Sequence, residues 1–248
     1  MLALTASTLF AQGLPSHPDL PVPPPNMPGL SQSPQPTSTD VADRHTFRIS
    51  PPELVSPGVY RIGDIQVNKA EKTITFPATV NMNSGLLEYL LVRSGGKTHE
   101  SLFRTEVEPY NLQIACLLLD LVGTDKPLPF QGATDVPSGD RVGIYVEQVL
   151  ESGRSLKLDP KAWIIRTVGA ERRDAPTLDW VFTGSTVSNG RFSAQIDGSI
   201  IALYHDPSAM IDNATPGGES DKVWFANEKT APPVGTKVTI TIKQIKKP

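Results

Sequence analysis

The chain has 248 residues, 38% of them hydrophobic and 20% charged, which is enough apolar material for one sizeable core. A formal net charge of -3 and a pI near 5.8 give no electrostatic footprint for nucleic acid or anionic lipid, and the basic cluster Lys243 to Pro248 is a chain end. The single cysteine, Cys116, excludes an internal disulfide, an iron-sulfur cluster and a zinc ribbon within one chain, and reads as a small core residue.

Residues 1–11 have the character of a truncated signal peptide. An apolar run from Leu2 to Phe10 leads to a cleavage-like Ala11-Gln12, yet no Lys or Arg precedes it and it is far shorter than the roughly 20 residues of a membrane span. Residues 12–45 form a Pro-rich disordered linker, with nine prolines between Pro15 and Pro36 and almost no bulky apolar periodicity. The two segments together predict export to the periplasm or cell envelope without a transmembrane span. Residues 46–248 are then one β-rich domain.

Beyond His45, short apolar or alternating runs are separated by Gly, Pro, Asn and Asp, a strand-and-turn pattern. "VYRIGDIQVN" and "KTITFPATVN" flank a turn at "KAEK", and Pro77 predicts an edge or a bulge in the second run. "LLEYLLVRSG" follows, and "RVGIYVEQVL" with "RSLKLDP" predicts a second hairpin. Later strands are expected in "LDWVFTGS", "RFSAQI", "SIIALYH", "KVWFANE" and "KVTITIKQI". One helix is predicted over 109–122, opened by Pro109, stopped by Gly123 and, through "IACLLLDLV", buried on most faces. The fold class expected is α+β: a β-rich antiparallel sheet system with one principal buried helix.

Two polar constellations stand out. In "SGGKTHES", glycines at 95 and 96 permit positive backbone angles, and the run reads as a turn into a strand with His99 buried and neutral. If the stretch is extended, His99 and Ser101 share a face and Glu100 points away; no nucleophile elbow surrounds Ser101, which argues against a hydrolase. In "ALYHDPSAMIDN", His205, Asp206 and Asp212 are good N/O metal-ligand types, to which His99 could be added, although no diagnostic spacing joins them. The alternative is a pair of Asx-type turns at Asp206 and at Asp212 or Asn213. "NAT" at Asn213 is also a glycosylation sequon, a pattern that arises often by chance. Trp180 and Trp224 lie in strand-like surroundings that suit core or rim packing, and an aromatic groove requires them exposed side by side.

The segments "GGKTHESLFRTEVEPYNLQIACLLL", "WVFTGS", "ALYHDPSAMIDN" and "PPVGTKVTITI", in this order, resemble the YdjY-type domain over roughly Val59 to Ile242. That resemblance implies an exported bacterial single-domain protein and carries no established activity. By similarity, the matching polar positions are Lys97, His99, Glu100, Ser101, Trp180, Gly184, Ser185, Asp206, Asp212 and Asn213. Two function classes stay open. The first is a non-catalytic binding or structural module of the envelope with no cofactor, favoured because no complete acid-base, nucleophile or phosphate-cradling set appears. The second is a metal-binding protein or metal-assisted enzyme using a divalent ion at His99, His205, Asp206 and Asp212, which gains if "GKTHES" and "YHDPSAMIDN" converge on one cleft. The envelope partner or ligand is not readable from the residues.

Overall fold

A computed structural model describes residues 47–149 and 152–245; the expected signal remnant and linker lie outside them. Four strands open the described chain: β1 (Glu53–Ser56), β2 (Val59–Ile62), β3 (Ile65–Asn68) and β4 (Thr73–Val80). β5 (Tyr89–Arg93), a 3-10 turn (Thr98–Glu100) and β6 (Ser101–Thr105) precede helix α1 (Pro109–Leu118). A long connection leads to β7 (Asp140–Val149) and β8 (Ser155–Leu158), then β9 (Ile164–Val168), β10 (Glu171–Asp174) and β11 (Trp180–Phe182). β12 (Val187–Ser188), β13 (Arg191–Phe192), α2 (Ser193–Asp197), β14 (Ser199–Ala202), β15 (Ile211–Asn213), β16 (Trp224–Ala226) and β17 (Lys237–Gln244) complete the order.

β4 closes the architecture. One of its edges pairs antiparallel with β17 along its whole length; the other pairs first with β3 at Thr73 to Thr75 and then with β6 at Thr79 and Val80. The ring β4-β17-β7-β11-β15-β14-β5-β6 returns to β4 as an eight-stranded closed barrel. Closure removes the free edges that an open sheet must protect. Pro77 falls between the two successive partners of β4, where its missing N–H forfeits no ladder bond, and its carbonyl accepts from Thr105 Oγ1 at 2.7 Å. The barrel is filled by every second residue: Ile74, Phe76 and Val80 from β4, Ile240 and Ile242 from β17, Ile144 and Val146 from β7, Trp180 and Phe182 from β11. A separate sheet, β10-β9-β16, and the small β12–β13 hairpin stand outside the ring.

This overturns the expected α+β class: the protein is mostly β, and two α-helices occur among the described residues. The sheet is not purely antiparallel either, because β5–β6 and β14–β15 pair in parallel. The helix does open with Pro109, but it stops at Leu118 instead of 122, because Asp120 adopts a left-handed φ of 58°. It is buried on one side only: Leu112, Ala115 and Cys116 enter the core, while Leu117 (58% exposed) faces solvent, and beyond its end Val122 is 63% exposed. Gly123 is required for another reason, since a Cβ there would stand 2.5 Å from the Thr183 carbonyl oxygen. "RFSAQI" is a strand for two residues and then α2.

Candidate functional site

The parallel pair β5–β6 needs a crossover, and "SGGKTHE" supplies it. Neither Gly95 nor Gly96 takes a positive φ, contrary to expectation; Gly96 is needed because a Cβ there would lie 2.9 Å from Asp197 O and 3.1 Å from the Gly198 Cα. With the chain pressed against the end of α2, Lys97 is directed over β5. Its Nζ lies 2.5 Å from Tyr89 Oη, 4.8 Å from the Tyr89 ring centroid and 3.4 Å from Asp206 Oδ2.

Tyr89 is the centre of this cluster. Its hydroxyl donates to Asp206 Oδ2 at 2.6 Å and accepts from Lys97 and, at 3.3 Å, from Gln131 Nε2. Burial, then the neighbouring Asp206 charge, pushes phenol ionisation far above its ordinary range, so Tyr89 is a fixed donor. Asp206 Oδ1 accepts from Ser208 N at 2.8 Å, the Asx turn anticipated before Pro207. The two segments therefore meet, but through Lys97, whose ammonium is a donor and offers no lone pair.

Behind this cluster lies a buried polar layer. His205 is 4% exposed, with Nδ1 2.8 Å from Ala133 O and Nε2 3.0 Å from Asn213 O. Both ring nitrogens are thus held against carbonyl oxygens. Asp212 lies in the same layer: Oδ1 accepts from Asn213 N at 2.7 Å and Oδ2 from Asp206 N at 3.1 Å. Burial pushes the Asp212 carboxyl up to about 7, against the opposing pull of His205 and of the two backbone amides. Asn213, fully buried, donates Nδ2 to Leu203 O and accepts from Thr215 N, so the sequon is not presented to a glycan-transferring enzyme in the folded protein.

The remaining expected positions do other work. The His99 side chain is 79% exposed and sits 3.4 Å from Glu100 Oε2, which corrects the expected buried histidine; the chain is a 3-10 turn here and the strand alternation does not apply. Ser101 is buried and donates Oγ to Phe103 O at 2.7 Å. Trp180 (3% exposed) and Trp224 (0%) are core residues, so these two indoles form no open groove. Ser185, at φ 62° after Gly184 at φ 81°, bridges Ser208 O and Ala194 N. Among the described residues, no three His, Cys, Asp or Glu side chains come together as a metal-holding group. The residues that sequence reasoning missed are Tyr89 and Gln131. Tyr89 lay inside an expected strand, where its hydroxyl was the one polar atom that needed a buried partner.

The model of the YdjY domain matches residues 65–243, from the first residue of β3 to the last but one of β17. No curated protein and no solved structure matches the chain.

Proposed function

Because the chain belongs to the YdjY domain family, we propose that it acts in the cell envelope or periplasm as a non-catalytic binding or structural module, exported by its N-terminal segment. One observation carries the non-catalytic reading: both His205 nitrogens are engaged by carbonyl oxygens. A general base or a metal ligand needs a free lone pair, and the ring offers none without losing a buried hydrogen bond. The carboxylates beside it are committed in the same way, Asp206 to Tyr89, Lys97 and Ser208, and Asp212 to two backbone amides. Such a layer ties the loop carrying Ala133 to the barrel, and it leaves recognition to the outer surface.

Elemental analysis of protein purified without chelator or metal-binding tag tests this reading, paired with denaturant unfolding of His205→Ala. The expected outcome is no stoichiometric metal in the wild type and a large loss of stability in the variant. Stoichiometric metal in the wild type that disappears in His205→Ala would overturn it in favour of the metal-dependent alternative. Fusing residues 1–45, preceded by a short Lys/Arg-containing extension that restores the missing n-region, to a reporter active only outside the cytoplasm tests export, and an inactive fusion in a bacterial host would contradict it.

A further inference from the structure

The buried layer spends its polar groups internally; a cavity of about 490 Å³ beside the β12–β13 hairpin, α2 and the Ser208 turn does the opposite. Arg191, Asp197, Ser188 and Asn189 line it, and no side chain of the four has an ion-pair or hydrogen-bond partner among the described residues. Arg191 and Asp197 thus present opposite charges to one space without closing on each other. Two charges of opposite sign lining one cavity complement a ligand that carries both.

The walls are built in advance. Ser185 Oγ donates to Ser208 O at 2.7 Å and accepts from Ala194 N at 3.1 Å, joining the β11 exit, α2 and the Ser208 turn. Thr186 Oγ1 donates to Ser193 Oγ at 2.9 Å, and Ser193 N donates to Thr186 O at 2.9 Å. Asn189 and Gly190, with φ of 51° and 72°, make the two-residue turn that suits a tight hairpin, so the lip is also defined. Ile196, 43% exposed, adds an apolar wall. The volume lies within the range of small-molecule sites.

We propose that this cavity binds a free zwitterionic α-amino acid with a small apolar side chain. The Arg191 guanidinium takes the carboxylate, Asp197 takes the ammonium, and Ser188 and Asn189 complete the hydrogen bonds while Ile196 meets the side chain. The proposal rests on reading the domain as a binding module and gives that module a ligand class.

Calorimetric titration of the full chain with L-alanine and L-valine tests it, with N-acetyl-L-alanine and L-alanine amide as probes lacking one charge each, and glucose as a neutral polyol. Saturable binding of the two zwitterions is expected, with removal of either charge weakening it about tenfold or more. Arg191→Gln should erase the preference for alanine over its amide, and Asp197→Asn the preference over the N-acetyl form. Their denaturant midpoints should match wild type, since both positions are at the surface. Equal affinity for the one-charge probes, binding of glucose alone, or no saturable heat with alanine and valine each overturns the zwitterion site. Glucose binding leaves the binding-module reading standing; that reading falls separately, by stoichiometric metal lost in His205→Ala.

Discussion

Replacing His205 by alanine is the sharpest probe of the buried layer. The substitution leaves Ala133 O and Asn213 O without the ring nitrogens they face and opens a cavity where the ring packs against Gly218. A buried acceptor left without its donor costs about 1 to 3 kcal/mol, and truncation of a large buried side chain adds a cavity cost, so about 3 to 5 kcal/mol is expected in total. Urea unfolding should show the midpoint falling with the m-value unchanged. Gly218→Ala supplies an internal control, because a Cβ at that position would sit 2.2 Å from His205 Nε2. Alone it should destabilise strongly; combined with His205→Ala, its further cost should shrink, although the Asn213 carbonyl oxygen at 2.9 Å retains part of it. A loss below about 1 kcal/mol for His205→Ala would refute the two-carbonyl clamp.

His99→Ala should change stability by no more than about 0.5 kcal/mol, since the side chain is 79% exposed and its contact with Glu100 is a surface pair; thermal unfolding beside His205→Ala checks the contrast. Tyr89→Phe removes the 2.6 Å bond to a buried carboxylate and should cost about 1.5 to 3 kcal/mol by denaturant midpoint; an unchanged midpoint would mean that Asp206 is held without it. Cys116 is fully buried and burial pushes its thiol well above the ordinary range, so thiol reagents should label it only after unfolding, and rapid native labelling would contradict the helix placement. Asp212 has a folded value of about 7, raised from 3.8, so it contributes stability that is complete below 3.8 and lost as pH rises through about 7. Unfolding midpoints measured from pH 4 to 8 should fall over that window, and Asp212→Asn should flatten the slope; an equal slope in the variant would assign the titration elsewhere.

Much of the strand content was legible because it is written in local alternation. "KVTITIKQ" places Val238, Ile240 and Ile242 inward however the rest of the chain is arranged, and β3 and β4 do meet across the expected "KAEK" turn, whereas "VYRIGDIQVN", expected as one strand, folds back on itself as β2 and β3 with Gly63 at a φ of 58°. The tight entry from the Lys97 turn into β6 and the buried Cys116 were readable on the same terms. Even Ser185 and Asp206, singled out as polar positions, proved to hold turns and loops in place.

What the sequence by itself determined was which segments pair locally and which side chains seek the core, since period-2 patterning and turn residues act over a few positions. Only the tertiary structure decided that the sheet closes. The parallel pairs β5–β6 and β14–β15 have no hairpin turn to announce them, and the β4–β6 seam depends on strands meeting across the chain. The polar cluster was hidden for the same reason: Tyr89 and Lys97 reach Asp206 across 117 and 109 positions. The fate of each histidine was equally a matter of burial, with His205 clamped between two carbonyls and His99 left in solvent. Long-range contact sets the solvation and hydrogen-bond partners of a titratable group, and those decide whether it acts as a clamp, a ligand or a surface charge.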